Sequence, residues 1–279
     1  GYDLTQVVIG SEGTLALVTR IWLKLSRRPA NTRTVLAPFA NLDEVTAAIP
    51  HILAAGLDPL ILEYIDLLTM AAILNRSGMD LGIPEDVKST ALAYLVVQIS
   101  DDLEDRADAD AVRLGELLAG ELGAMDVYVL PGDAASQLIT AREQAFYAAK
   151  EIGFHDIIDV VVPRAALPDY VRRVGEIATE FSSGIVGCGH AGDGNVHMSV
   201  LQADPEVRHR IMDALLEAGV ELGGAISGEH GIGRHKKPWF VKLTDPVNLR
   251  LMRGIKATFD PNGILNPGAI FDLQEDTPA

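Results

Sequence analysis

Gly187-Cys188-Gly189-His190-Ala191-Gly192-Asp193-Gly194-Asn195-Val196-His197 decides how this chain folds. Its two histidines stand seven residues apart, a spacing that would share one face of a helix. Glycine at 187, 189, 192 and 194 makes a helix interior unfavourable, however. The flanks point to strands: Val196-His197-Met198-Ser199-Val200-Leu201 is extended in character, and Phe181-Ser182-Ser183-Gly184-Ile185-Val186 leads into another extended run. Gly192-Asp193-Gly194-Asn195 supplies residues that tolerate positive φ in a tight connection. The chain is therefore expected to double back, so that His190 and His197 converge on one point, as two ligands of a metal must.

About thirty residues further on, Ser227-Gly228-Glu229-His230-Gly231-Ile232-Gly233 sets a carboxylate beside another histidine in a second glycine-rich loop. Two imidazoles and one carboxylate, here His190, His197 and Glu229, form a common set for a divalent metal, with positions left for water or substrate. His230 then suits a general base, because an imidazole titrates near neutrality. Any one of these histidines taken alone is as readily a satisfied structural residue; it is their joint placement in two such loops that points to a shared site.

Outward from this centre, strands and helices alternate. Residues 34–39, 60–65, 91–99, 125–130 and 157–162 have strand character. Helices are expected from Asn41 to about Ala55, Asp66 to about Asn75, Asp101 to about Leu122, Asp133 to about Ile152, Pro168 to Phe181, Pro205 to Leu222, Pro238 to Leu243 and Asp245 to Phe259. Residues 78–88 suit a loop, and the alternation of Leu15, Leu17, Thr19, Ile21, Leu23 and Leu25 predicts a strand before the break at Arg27-Arg28-Pro29. The order resembles split βαβ units. It predicts an α+β fold with a largely antiparallel sheet and helices packed on one face.

The chain has 279 residues, enough for one large domain or two smaller ones. Its net charge of -16 argues against nucleic acid as a partner, since phosphate binding needs a basic face. The single Cys188 excludes an intramolecular disulfide, and fits a small core residue better than a fourth ligand. No apolar run reaches the roughly 18 residues of a membrane helix, and no signal-peptide pattern opens the sequence. The chain begins Gly1-Tyr2-Asp3, so a fragment or processed chain is expected.

These motifs carry a resemblance. Gly189–His197, Gly228–Gly233 with Lys236, Gly263-Ile264-Leu265-Asn266-Pro267-Gly268 and the opening Val8-Ile9-Gly10-Ser11-Glu12-Gly13-Thr14-Leu15 are together similar to the C-terminal half of vanillyl-alcohol-oxidase type FAD-linked oxidases. Within them the chain resembles the branch of glycolate oxidase D-subunits, D-lactate dehydrogenases and D-2-hydroxyglutarate dehydrogenases. The resemblance covers nearly the whole chain. It implies residues 1–28 as the terminal segment of an FAD-binding domain, 29–258 as a ferredoxin-like-derived cap and substrate domain, and 259–279 as a segment packing on the flavin domain.

The resemblance also implies roles. His190, His197 and Glu229 would bind the divalent metal, expected to be zinc, and His230 would take the substrate hydroxyl proton. Arg142 would hold the substrate carboxylate, although it equally suits an exposed helix position paired with an acid. Asn266 would approach the flavin, and Gly10, Ser11, Glu12 and Gly13 would contact FAD through their backbone. The implied partners are a small 2-hydroxy acid, the chain's own FAD-binding domain, an electron-acceptor protein or quinone, and a second copy in a homodimer. The implied location is the cytoplasm or the inner face of a membrane. Most FAD contacts would lie upstream, so this chain alone is expected to bind FAD weakly and to be inactive. The apolar stretch Ile157-Ile158-Asp159, where relatives reading a second acidic group carry a Lys, favours glycolate or D-lactate over 2-hydroxyglutarate. A zinc hydrolase or a non-catalytic assembly domain are the competing readings.

Overall fold

A computed structural model of the chain describes residues 1–143 and 156–273. They form two compact units, Arg27–Ala225 and Gly1–Ser26 together with the chain from Ile226 onward.

The larger unit is built on seven strands: β1 (Asn31–Phe39), β2 (Ile61–Asp66), β3 (Ala93–Asp101), β4 (Tyr128–Leu130), β5 (Asp156–Val161), β6 (Gly184–His190) and β7 (Asn195–Leu201). They run β4-β1-β3-β2-β6-β7-β5, and every neighbouring pair is antiparallel. The first four strands follow the order of split βαβ units, as the sequence predicts.

Strand alternation divides the sheet into two faces. One carries Val35, Ala37, Phe39, Leu95, Val97, Tyr64, Val160 and Met198, all buried. The helices Leu42–Ala54, Glu104–Gly120, Leu167–Glu180 and Pro205–Glu221 cover it. Tyr170 donates its hydroxyl to the Leu215 carbonyl between the last two, and Gly219 lets its helix approach Val160 closely. Each large apolar side chain sealed here contributes roughly 1.5–3 kcal/mol.

On the opposite face Leu36, Ile65, Tyr94 and Val96 pack with Met70 and Ile73 of the helix Leu67–Ser77 and with Ala135 and Leu138 of the helix Gly132–Glu143. This second, smaller helical layer covers the side of β1, β3 and β2, so helices lie on both faces of the sheet and not on one as expected. On β2, β6, β7 and β5, the same face bears Glu63, His190, Asn195, His197 and Asp159.

Local chemistry explains the boundaries. Asn41 caps its helix by accepting from the Glu44 N–H at 2.8 Å, and Asp204 accepts from Glu206 and Val207 ahead of Pro205. Asp66 accepts from Thr69 N–H at the start of its helix and also from Gly187 N–H, tying that helix to β6. Burial lifts the Asp66 carboxyl above the usual carboxylate range, and these N–H donors pull against that rise.

Residues 14–25 form no regular element, although their pattern alternates. A strand needs a neighbour for its N–H and C=O groups, and no described segment pairs with this one. Within residues 78–88 the short helix Glu85–Lys88 forms. The helix expected to Ile152 is seen as Gly132–Glu143, and its remainder lies outside the described residues.

The smaller unit contains the helices Leu4–Val8, Lys237–Leu243 and Pro246–Phe259. Its centre is the buried Lys256, whose ammonium donates to the carbonyls of Thr14 at 2.7 Å and Leu265 at 2.8 Å and to the Asp260 carboxylate. Three donors meet three acceptors, which a buried ammonium requires. The Lys256 ammonium, helped by the N–H groups of Leu265 and Ile264, lowers the Asp260 carboxyl to about 2. A carboxyl depressed in the folded state stabilises above its unfolded pKa, near 4. That contribution disappears as pH falls from there through about 2. Asp260→Asn should therefore melt at a lower temperature than wild type at neutral pH, and the gap should close between pH 4 and 2 (roughly) in melts followed by circular dichroism. No described helix is long and apolar enough to cross a membrane.

Candidate metal centre

The hairpin of β6 and β7 brings His190 and His197 together. Their rings lie edge to face, with centroids 5.1 Å apart and planes at 86°. Cross-strand pairing sets His190 opposite Glu63 of β2, and His197 opposite Asp159 of β5. Each imidazole thus has a buried carboxylate beside it: Glu63 Oε1 lies 2.9 Å from His190 Nδ1, and Asp159 Oδ1 lies 3.8 Å from His197 Nδ1. A carboxylate hydrogen-bonded to the far nitrogen, as Glu63 is to His190, is the usual surrounding of a metal-binding histidine, because it orients the ring and fixes its tautomer; the 3.8 Å contact of Asp159 is too long for such a bond. The donor set suits a divalent cation of the zinc type.

Arg142, near the end of its helix, joins the group through Glu63, its Nη1 lying 2.9 Å from Glu63 Oε1. The Nε of Arg142 is buried and has no hydrogen-bond partner among the described residues. An unmet buried donor is costly, and an anionic ligand would satisfy it. Asn195, paired across the hairpin with His190, likewise keeps a buried Oδ1 without a partner among the described residues. A cavity of about 250 Å³ opens beside the group, lined in part by Leu62, Glu63, Arg164, His190 and Asp193.

The glycines of the hairpin serve close approach as much as turning. Gly194 has φ +77, and a Cβ there would strike the Val162 carbonyl oxygen. Cys188 packs against the apolar cluster under the helix Leu67–Ser77. Burial first, then the charges of Glu63 and Asp66, push its thiol up to about 12.

In the smaller unit, Glu229 and His230 are neighbours, with Oε1 and Nε2 3.9 Å apart and both side chains about half exposed. The loop carrying them is fastened by Glu12, whose two carboxylate oxygens accept from the N–H groups of Ile232 and Gly233, each at 2.7 Å. Asn266 donates its side-chain amide to the Glu12 carbonyl at 2.7 Å. Gly10, Ser11 and Glu12 line an apolar cavity of about 310 Å³ with Leu15, Phe240 and Met252.

Glu63 and Asp159 were not among the residues the sequence singled out. Each is an acid with apolar residues on both sides, Glu63 between Leu62 and Tyr64 and Asp159 between Ile158 and Val160. A charge buried in such a place needs a partner, and that was the available signal.

The fold and this face together define a class: an antiparallel α+β domain presenting a histidine pair, two buried acids and an arginine on its sheet. The profile described as FAD linked oxidases, C-terminal domain, matches residues 28–270, and the chain belongs to that family. An uncharacterized FAD-linked oxidoreductase of Mycobacterium tuberculosis is 53% identical over 271 residues, which cover 97% of this chain and 59% of the relative. A glycolate oxidase subunit of Bacillus subtilis is 32% identical over 278 residues, covering 97% and 57%. The chain thus spans under two thirds of the length of these relatives. A solved p-cresol methylhydroxylase shares the fold at a TM-score of 0.64 and 15% identity, over 89% of this chain and 54% of that one.

Proposed function

We propose that this chain is the substrate-binding half of an FAD-dependent dehydrogenase or oxidase that converts a small D-2-hydroxy acid, glycolate or D-lactate in type, to its 2-oxo acid. The observation that carries this reading is the edge-to-face pair of His190 and His197 with Arg142 tied in beside them. His190, His197 and Glu229 would hold a divalent metal, zinc by the chemistry of the donors. Arg142 would take the substrate carboxylate, its buried Nε–H, without a partner among the described residues, supplying a donor. His230 would accept the hydroxyl proton, and Asn266 with Gly10–Gly13 would face the flavin. A bound FAD supplies the acceptor for the hydride, and a bound metal lowers the pKa of the substrate hydroxyl. The chain's own residues do the rest: they orient the acid by its carboxylate and receive its proton.

The test is turnover in the protein carrying its flavin, with an artificial electron acceptor. Glycolate or D-lactate should be oxidised, and His230→Asn should lower kcat by roughly 10²–10⁴ with little change in KM. Failure to oxidise any 2-hydroxy acid would overturn the proposal. So would a His230→Asn variant turning over at the wild-type rate.

A further inference from the structure

We infer that Glu63 is a positioning residue of this site, setting the tautomer of His190 and holding Arg142 beside it through one carboxylate oxygen. The inference deepens the reading of His190 as a metal ligand and rests on it where it concerns the metal.

Glu63 stands on β2 between Leu62 and Tyr64, whose side chains are buried on the other face of the sheet. Its register partner on β6 is His190, so the backbone ladder places the carboxylate against the imidazole. Glu63 Oε1 lies 2.9 Å from both His190 Nδ1 and Arg142 Nη1. A carboxylate only accepts, so at this contact the hydrogen sits on Nδ1. In the neutral ring the lone pair is then on Nε2, the nitrogen able to donate to a cation. The side chain is only 7% exposed, and burial restricts its rotamers. The same oxygen therefore fixes two orientations at once: the ring that would hold the metal and the guanidinium that would hold the carboxylate. Asp159 stands behind His197 on the edge strand β5, but at 3.8 Å from Nδ1 it makes no such hydrogen bond.

A merely structural Glu63 would pair with Arg142 and leave the imidazole indifferent to it. Ring nitrogen shifts of His190, read in the metal-free intact chain above the imidazole titration, separate the two cases. Wild type should show Nδ1–H. Glu63→Ala should lose that preference, and Glu63→Gln, which retains an acceptor oxygen, should restore it. Competition against a chromophoric chelator should show Zn²⁺ bound roughly 10–100-fold more weakly by Glu63→Ala. If that variant does not fold, Glu63→Leu combined with Arg142→Leu removes both partners at little cost and should lose the tautomer preference equally. A His190 that remains Nδ1–H without Glu63, with Zn²⁺ affinity within about twofold of wild type, would overturn the inference. If wild type binds no Zn²⁺, the metal reading falls, and the tautomer measurement alone decides the role of Glu63.

Discussion

Replacing His197 by alanine should take bound divalent metal from about one ion per chain to about a tenth of that or less at micromolar protein. Closed zinc sites bind with about 10–16 kcal/mol shared among their ligands. Losing one of the three protein ligands, at the per-ligand share of such sites, should cost roughly 2.5–4 kcal/mol, a factor of roughly 10²–10³ in affinity. His197 suits this test because the strand neighbours on either side of it are held by other contacts. Cys188 opposite it belongs to the apolar cluster, and Asp159 is held in β5 by its own ladder. The loss should therefore be one of ligation, with the far-ultraviolet spectrum unchanged. His209→Ala, on the helix Pro205–Glu221 with its Nε2 3.9 Å from Asp213 Oδ1, is the control and should retain the metal. Metal analysis after dialysis decides the matter. A His197→Ala chain with wild-type metal content would show that the paired imidazoles are structural.

How much of this could be seen in the sequence follows from which signals are local. The β6–β7 hairpin was legible because glycine excludes a helix and Asp193-Gly194 suits a turn. Several helix starts were legible for the same kind of reason, since Asn41 and Asp66 act within three residues of their own position and Pro205 suits a first helical turn. Register was not legible. That Glu63 faces His190 depends on β6 pairing with β2, a contact across 127 residues that no local pattern encodes. Asp159 reads in the sequence only as part of an apolar stretch, because an acid between Ile158 and Val160 carries no period of its own. The strand expected over residues 14–25 failed for the converse reason: alternation describes one segment, whereas a strand is a relation between two. Glu12 shows a third limit. In the sequence it belongs to a glycine turn, while in the folded unit its carboxylate reaches across to Ile232 and Gly233, 220 and 221 residues away.

The hairpin glycines yield the other large effect. Gly189→Ala should destabilise the larger unit by about 3 kcal/mol, seen as a lower urea midpoint at unchanged slope. β6 runs between β2 and β7, and at Gly189 both neighbours come too close for a side chain. A Cβ there would lie 2.5 Å from the Asn195 carbonyl oxygen and 2.6 Å from Tyr64 Cε1. Neither can yield cheaply. The carbonyl belongs to the hairpin backbone, and the Tyr64 ring is fully buried in the core. The strand would have to move instead, carrying His190 with it, so metal affinity should fall along with stability. Gly175→Ala gives the opposite sign. That glycine lies exposed in the helix Leu167–Glu180, with nothing within 4 Å of a built Cβ. Alanine there should stabilise by roughly 0.5–1 kcal/mol through the lost backbone freedom of the unfolded chain. Two glycines with the same substitution and opposite outcomes separate close approach from conformational entropy. Equal midpoints for Gly189→Ala and wild type would mean that β6 lies farther from Tyr64 than 2.6 Å to a built Cβ implies.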